Sequence, residues 1–178
     1  MINYLGKPGE KQLVIMLGQF DGVHLGHQAL INSTLQAAKT ADLTATAALF
    51  NPLPRELLQT NFSAIMSHDQ RLAQIKFYGI NNFLVINTDR KFLQLTAIEF
   101  VDLLIKHKVA QIVIGRDFRF GCDRQGDIKL LAEHFHVNVV PDVCIDGKRV
   151  SSSWCREAIA VEDIMTYKRL TGRNDCAL

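Results

Sequence analysis

Two histidines in the segment Gly18–His27 (GQFDGVHLGH) have the spacing of groups that bind one phosphate. His24 and His27 are three residues apart around Gly26, so both imidazoles can face the same ligand. Glycines allow a close approach of the backbone, and the free N–H groups at a helix N-terminus suit phosphate oxygens. A cation or an N–H donor here would stabilise charge on a phosphoryl group during transfer. The competing interpretation is helix capping and packing, and the glycines favour the phosphate site.

The same segment differs from the commonest glycine-rich nucleotide-binding sequences. It contains neither the GxxxxGK[ST] pattern of a P-loop nor the GxGxxG pattern of a dinucleotide site, so neither type of site is supported. Asp21 lies inside the segment and fits two roles. It could cap a helix or orient donors near the phosphates, and the residue pattern leaves both open.

A second candidate phosphate site lies near the end of the chain. Ser151, Ser152 and Ser153 precede a predicted helix, where their hydroxyl and N–H groups can cap the helix and bind phosphate oxygens. Arg156 follows one turn later and offers a bidentate donor to the same group. A plain helix N-cap is the simpler interpretation of the serines when they are considered alone.

The loop 117–120 (DFRF) follows an apolar run that ends at Gly115, and it carries two aromatic rings and two charges. Taken alone, these residues fit a hydrophobic loop anchor with an ion pair at the surface. A binding role for Asp117, Phe118 and Phe120 depends on the family resemblance described below.

Strand-like and helix-like segments alternate along the chain and would position these groups. Short apolar runs typical of buried parallel strands cover residues 11–17, 43–50, 82–86, 110–114 and 137–140. Helical spacing or capping signals predict helices over residues 25–39, 67–78, 96–106, 127–134, 154–160 and 161–170. Two of these helices begin with capping boxes, Ser67 with Gln70 and Thr96 with Glu99.

This alternation predicts an α/β fold with a doubly wound, mostly parallel sheet in one domain over residues 1–178. In such sheets, ligands bind outside the carboxyl ends of the strands, where the strand order reverses. We therefore expect the segments that follow residues 17, 50 and 114 to converge on one site.

Composition excludes several other classes of protein. The chain has 178 residues, is 48% hydrophobic and 21% charged, and carries 20 Lys and Arg against 18 Asp and Glu. Because the positive and negative charges are nearly balanced, the composition does not indicate nucleic-acid binding. No apolar run approaches the roughly 20 residues that span a membrane. No basic segment followed by a long apolar segment resembles an export signal, so a cytoplasmic protein is predicted.

Cysteine spacing predicts no metal site. Cys122, Cys144, Cys155 and Cys176 form no CxxC pair, and His134 with His136 lacks a partnering Cys or acidic pattern. We interpret the cysteines as small apolar residues that are buried or half-buried.

Colinear motifs resemble the FMN adenylyltransferase (FAD synthetase) module of the bacterial bifunctional riboflavin kinase/FMN adenylyltransferase family. Residues 18–27 are similar to its GxFDGVHxGH sequence, and HLGH is similar to the HxGH signature of the nucleotidylyltransferase superfamily. Segments similar to the family's F-[DE]-P-H-P, VGxDFRFG, RISSTxIR and LxGR motifs follow in order at 50–54, 114–121, 149–156 and 170–173. The resemblance covers nearly the whole chain, which makes it more specific than HxGH alone.

The resemblance implies a Rossmann-like fold and direct in-line attack of the FMN phosphate on the α-phosphorus of ATP, which yields FAD and pyrophosphate. Mg²⁺ would accompany the ATP. His24, His27 and Arg156 would act on the reacting phosphates, and Ser151–Ser153 with Arg156 would hold the pyrophosphate. The implied ATP-binding residues are Gly18, Phe20, Asp21, Gly22, His24, Gly26, His27, Gly115, Ser151, Ser152, Ser153 and Arg156. The implied FMN-binding residues are Asn51, Pro52, Asp117, Phe118 and Phe120.

The chain departs from the family on the acceptor side. Leu53 stands where the family has the histidine of PHP, and Asn51 replaces an acidic residue. A leucine cannot donate to a phosphate, so turnover could be impaired. Two alternatives stay open, a nucleotidylyltransferase with another phosphorylated acceptor and a flavin- or nucleotide-binding protein with little catalysis. The kinase domain of the family is expected to be absent, and the sequence does not give the oligomeric state.

Overall fold

A six-stranded sheet forms the centre of the fold in the computed structural model, which describes residues 2–6 and 10–173. The strands in chain order are β1 (Ile2–Leu5), β2 (Leu13–Met16), β3 (Thr44–Asn51), β4 (Asn82–Asn87), β5 (Val109–Gly115), β6 (His136–Val140), β7 (Cys144–Ile145) and β8 (Lys148–Arg149). The sheet order is β1-β4-β3-β2-β5-β6, and β7 with β8 forms a separate antiparallel hairpin. Only the edge strand β1 is antiparallel to its neighbour within the sheet, which confirms the predicted mostly parallel sheet.

Helices cover both faces of this sheet, as predicted. The helices are α1 (Leu25–Ala41), α2 (Pro54–Leu58), α3 (His68–Phe77), α4 (Arg90–Leu93), α5 (Ala97–Lys106), α6 (Ile128–Ala132), α7 (Ser152–Ala160) and α8 (Ile164–Thr171). The last two, α7 and α8, pack on each other in a separate buried cluster. Side chains of β2 alternate between two buried clusters because successive residues of a strand point to opposite faces. Val14 and Met16 pack with residues of α1 and α3, whereas Leu13 and Ile15 pack with residues of α5 and α6.

The strand order reverses at β2, which lies between β3 and β5. The helix that follows β2 is α1, on one face of the sheet, and the helix that follows β5 is α6, on the other face. The connections diverge at this point and leave a crevice outside the carboxyl ends of the strands.

Both predicted capping boxes are present. Ser67 Oγ accepts a hydrogen bond from the backbone N–H of Gln70 at 3.3 Å, and Gln70 Oε1 accepts one from the N–H of Ser67 at 2.8 Å. Thr96 and Glu99 make the same reciprocal pair at the start of α5. These local signals predicted the helix starts because they need no long-range contact.

Several elements differ from the sequence prediction. The strand β1, the hairpin β7–β8 and the short helices α2 and α4 were not predicted. The helix predicted over 161–170 begins only at Ile164, because Val161 is the C-cap of α7 and Asp163 caps α8. The helix predicted over 127–134 is shorter and ends at Ala132.

The cysteine prediction is partly wrong. Cys155 is buried and Cys122 is half-buried, but Cys144 is exposed because it lies in the surface hairpin. Cys176 lies outside the described residues. Within 2–6 and 10–173, no three His, Cys, Asp or Glu side chains are grouped to hold a metal ion. None of the helices in this part of the chain is long and apolar enough to cross a membrane.

Candidate functional site

The two histidines lie side by side at the N-terminus of α1. His24 is the N-cap residue of this helix, and its ring stacks on that of His27 with centroids 3.7 Å apart and planes 18° apart. A Cβ atom at Gly26 would lie 3.1 Å from Cε1 of His24, so the glycine makes room for the ring. The Nδ1 atoms of both histidines are buried and have no hydrogen-bond partner among the described residues. The His24 side chain makes no capping hydrogen bond there, so capping does not account for the pair.

Both imidazoles are neutral at pH 7. Burial lowers the pKa of His24 to about 4, and the positive charge of Arg149 acts in the same direction. Burial also lowers the pKa of His27 well below its usual value, and the adjacent His24 adds to this effect. Of the two alternatives that the sequence left open, the structure favours N–H donors over cations. Each neutral ring offers one N–H to a phosphate oxygen.

Folding stability should fall as the pH decreases from about 6.5 to about 4. In this window His24 stays neutral in the folded state, with a pKa of about 4, but binds a proton in the unfolded state. Since the unfolded state then binds more protons, His24 lowers the free energy of unfolding by about 2 kcal/mol at pH 5 relative to neutral pH. The free energy of unfolding can be measured with urea at pH 7.5 and at pH 5. We expect its decrease between these two pH values to be about 2 kcal/mol smaller in His24→Asn than in the unchanged protein. Equal losses in both would contradict this.

Asp21, which lies within the segment 18–27, holds Arg156 in an ion pair. Asp21 Oδ2 accepts a hydrogen bond from the Arg156 guanidinium at 2.7 Å, and only 2% of the Asp21 side chain is exposed. Its Oδ1 accepts the backbone N–H groups of Ile65 and Met66 at 2.8 and 3.2 Å. Burial raises the pKa of Asp21, while these hydrogen bonds and the charge of Arg156 oppose the increase. Of its two predicted roles, the structure favours orientation of a donor, since His24 occupies the N-cap position.

The three serines have different surroundings. Ser151 is the N-cap of α7 and its Oγ accepts the N–H of Trp154 at 3.2 Å. The Ser152 hydroxyl donates to the carbonyl of Asp21 at 2.8 Å, which ties α7 to the segment 18–27. Ser153 is exposed. The simple N-cap interpretation therefore describes Ser151 only.

Aromatic side chains form a continuous wall beyond the histidines. The rings of Phe118 and Phe120 stack at 5.9 Å, and Phe120 packs against Phe100 at 5.2 Å. Phe92 continues the row to Phe50, at 6.3 Å from Phe100 and 5.8 Å from Phe50. Phe50, Phe92 and Phe100 were not predicted as binding residues, because their proximity depends on packing between α4, α5 and β3.

Arg149 was also missed as a site residue. Its guanidinium donates to both carboxylate oxygens of Asp117, at 2.9 and 2.8 Å, and its Nε lies 3.1 Å from Asp142. The side-chain hydrogen bond from Arg149 lowers the pKa of Asp117, and Asp117 in turn raises the pKa of Arg149. Arg149 begins the motif at 149–156, and this position was the signal in the sequence that could have identified it. Its partner Asp117 could not be predicted, because it lies 32 residues away in sequence.

Most of the candidate residues line one cavity of about 850 Å³ at the carboxyl ends of the strands. Such a volume is in the range of small-molecule sites. The sequence-predicted residues in its lining are Gly18, Asp21, His24, Gly26, His27, Gly115, Asp117, Phe118, Phe120, Ser151, Ser152, Ser153 and Arg156. The five aromatic rings of the wall and Arg149 line it as well.

Four candidate residues lie outside the cavity lining. Phe20 is fully buried, with its ring edge-on to His27 at 5.3 Å. Gly22 has φ of +84°, a conformation that favours glycine, and packs on Ile65. Asn51 is exposed and Pro52 is half-buried at the end of β3.

Leu53 is fully buried and lies outside the cavity lining. As the N-cap residue of α2, it donates its backbone N–H to Glu56 Oε2 at 2.6 Å. Its side chain therefore packs in the protein interior rather than facing the cavity.

A histidine at position 53 should destabilise the protein without increasing turnover. The Leu53→His variant places a polar ring at a fully buried position, which should cost about 2–4 kcal/mol. Urea unfolding measures this loss, and the matched control is Leu57→His at a half-exposed position of the same helix. A stable Leu53→His variant with faster turnover would instead show that residue 53 faces the acceptor.

Comparisons with known proteins identify the family to which the chain is similar. The profile of the FAD synthetase family matches residues 7–154. The protein named bifunctional riboflavin kinase/FMN adenylyltransferase from Escherichia coli strain K12 is 33% identical over 180 residues, covering 96% of this chain and 58% of that protein. A protein named putative bifunctional riboflavin kinase/FMN adenylyltransferase from Geobacillus thermodenitrificans is 33% identical over 147 residues, covering 82% of each chain.

A solved structure shares the fold. The crystal structure described as a macrolide-efflux protein from Streptococcus pneumoniae has a TM-score of 0.82 at 30% identity. The similarity covers 94% of this chain and 57% of that chain. The chain thus spans little more than half the length of the Escherichia coli and Streptococcus pneumoniae proteins.

Proposed function

Because the chain belongs to the FAD synthetase family, we propose that it transfers the adenylyl group of ATP to the phosphate of FMN. The products are FAD and pyrophosphate. The observation that carries this proposal is the position of two neutral, stacked histidines and the anchored Arg156 in one cavity with an aromatic wall. The histidines and Arg156 are suited to bind phosphates, and the aromatic wall is suited to bind a planar ring.

The reaction is a direct displacement at the α-phosphorus. An oxygen of the FMN phosphate attacks in line, the new P–O bond forms, and the bond to the β-phosphate oxygen breaks with its electron pair on pyrophosphate. His24 and His27 donate hydrogen bonds from their ring N–H groups to oxygens of the α-phosphate and the adjacent phosphates, where negative charge shifts during the reaction. Because both rings are neutral, they stabilise charge through hydrogen bonds without transferring a proton.

The leaving pyrophosphate is held at the N-terminus of α7. Arg156 supplies a charged bidentate donor whose position is fixed by Asp21, and the N–H groups of the first turn add further donors. Ser152 is already bound to the Asp21 carbonyl, so its hydroxyl fixes the two segments relative to each other. Catalysis here is mostly positioning, which is the usual requirement for phosphoryl transfer.

The acceptor occupies the aromatic side of the cavity. Phe118 and Phe120 present stacked rings there, and Asp117 is held by Arg149 at the same rim. The isoalloxazine ring packs along these faces, with its phosphate directed toward the histidines. Asn51 and Pro52 contact the acceptor only if the loop after β3 moves toward the cavity, since neither lines it.

Mg²⁺ enters this proposal as a companion of ATP. Mg²⁺ is commonly bound through substrate phosphates and one or two carboxylates, and it keeps several waters. The carboxylates of Asp21 and Asp117 in the cavity lining are paired with Arg156 and Arg149, so the phosphates of ATP would supply most of the ligands of the ion. When bound, the ion would supply neutralisation of the phosphate charge.

Other expectations from the sequence stay predictions. These are the single domain over 1–178, the cytoplasmic location and the absence of nucleic-acid and membrane partners.

The decisive experiment is FAD formation from FMN, ATP and Mg²⁺, followed by chromatography with pyrophosphate release measured in parallel. We expect equal amounts of FAD and pyrophosphate. Pyrophosphate release that FMN does not stimulate, but another phosphomonoester does, would indicate a different acceptor. Binding of FMN or FAD without turnover would instead indicate a flavin-binding protein.

A further inference from the structure

Arg71 is a buried cation that lies behind the cavity rather than in its lining. Only 2% of the residue is exposed, and it belongs to α3. Its Nη1 donates to the carbonyl of Gln19 at 3.2 Å and its Nη2 to the carbonyl of Phe50 at 3.0 Å. One guanidinium therefore joins the phosphate segment 18–27, which follows β2, to the acceptor segment 50–58, which includes the carboxyl end of β3 and α2.

The position of this charge is costly. In the described part of the chain Arg71 forms no ion pair within 4 Å, and its buried Nε has no hydrogen-bond partner. Burial lowers the pKa of Arg71, and the charges of Asp21 and Glu56 oppose this effect from a distance. A methionine or leucine would fill the same interior without this desolvation cost. The stability of the fold alone therefore gives a poor reason for an arginine here.

The two carboxylates that face Arg71 belong to the segments it joins. Asp21 lies in the phosphate segment and holds Arg156. Glu56 lies in the acceptor segment and accepts the N–H of Leu53 at 2.6 Å. Hydrogen bonds and charges thus connect the acceptor segment, α3, the phosphate segment and α7 in one network.

We propose that Arg71 is a positioning residue that fixes the acceptor segment 50–58 relative to the phosphate segment 18–27. Phe50 and Arg55 of the acceptor segment line the cavity. By holding both carbonyls, Arg71 therefore sets the distance between the attacking phosphate of the acceptor and the α-phosphorus of the nucleotide. This inference rests on the proposed adenylyl transfer. A displacement of about 1 Å between reacting groups can reduce a rate about 100-fold, so a residue outside the cavity can control turnover.

Two substitutions of Arg71 distinguish the effect of its two hydrogen bonds from the effect of its charge. Arg71→Met keeps an unbranched side chain, which is shorter and apolar, but donates no hydrogen bond. Arg71→Lys keeps the charge but lacks the planar fork that reaches two carbonyls at once. Lys76→Met is the matched control, because Lys76 is an exposed cation near the other end of the same helix.

We expect kcat to fall about 100-fold in Arg71→Met and about tenfold in Arg71→Lys, with the KM for ATP changed less than about threefold. Lys76→Met should behave like the unchanged protein. Hydrogen exchange gives a second measurement, since amides in segments 18–27 and 50–58 should lose protection together while β6 keeps its protection. A purely structural role would lower the melting temperature without this split between kcat and KM.

Each other outcome has a defined meaning. A folded Arg71→Met variant with kcat within twofold of the unchanged protein, or with unchanged protection in both segments, overturns the positioning role. If Arg71→Met does not fold, the same two measurements on Arg71→Lys decide. If the unchanged protein forms no FAD, the proposed function fails, and the exchange data alone test whether Arg71 holds the two segments together.

Discussion

Replacing His27 with alanine should reduce the rate of FAD formation about 100- to 1,000-fold, the usual effect of losing one preorganised donor to a developing charge. His27 stacks on His24 at the N-terminus of α1, and both rings are neutral and line the cavity. The lost N–H acts mainly in the transition state, so kcat should fall more than the KM for ATP rises. Chromatographic measurement of FAD at several ATP concentrations separates the two constants.

Two variants make this result specific. His27→Gln keeps an N–H donor on a side chain of similar length, so it should retain more activity than His27→Ala. His134→Ala removes an exposed histidine outside the cavity lining and should leave the rate unchanged. Loss of less than about tenfold in His27→Ala, in a protein that remains folded, would show that the stacked pair serves to pack α1 rather than to stabilise the transferred phosphoryl group.

Replacing Asp21 with asparagine should raise the KM for ATP about tenfold and lower the free energy of unfolding by about 2–3 kcal/mol. Asparagine has the same shape and can still accept the N–H groups of Ile65 and Met66 through its carbonyl. It cannot neutralise Arg156, whose guanidinium lies 2.7 Å from Asp21 and is mostly buried. The unpaired arginine would move, so its donors would no longer be aligned with the phosphates.

A double-mutant cycle tests whether the two residues act together. Asp21→Asn and Arg156→Gln should each raise the KM for ATP, and the combined variant should be no worse than Arg156→Gln alone. Asp42→Asn, which disrupts an exposed ion pair with Lys11, is the matched control and should change neither constant. Additive effects of the two substitutions would show that Asp21 does not act through Arg156.

Local signals in the sequence predicted much of the fold. The capping boxes at Ser67 and Thr96 marked two helix starts correctly, because the hydrogen bonds involved join residues three apart. The apolar runs predicted the five parallel strands. The two prolines after Asn51 predict only the end of a strand, but Pro54 at the first position of α2 and Glu56 two residues later are also typical of a helix start.

The elements missed from sequence depend on distant partners. The strand β1 forms by antiparallel pairing with β4, about 80 residues later, and the hairpin β7–β8 has only two residues in each strand. Such short segments carry little periodicity, so their structure is decided by the neighbours they pair with.

The sequence by itself determined the fold class, the family resemblance and the segments that meet at the cavity. A parallel sheet brings the carboxyl ends of its strands to one edge, so the segments after β2 and β5 had to converge. Only the tertiary structure decided the chemical state and partners of the residues. Burial makes His24 neutral, Arg156 pairs with a carboxylate 135 residues away, and Leu53 points into the interior. These properties depend on distances and dielectric surroundings that arise only when segments distant in sequence pack together.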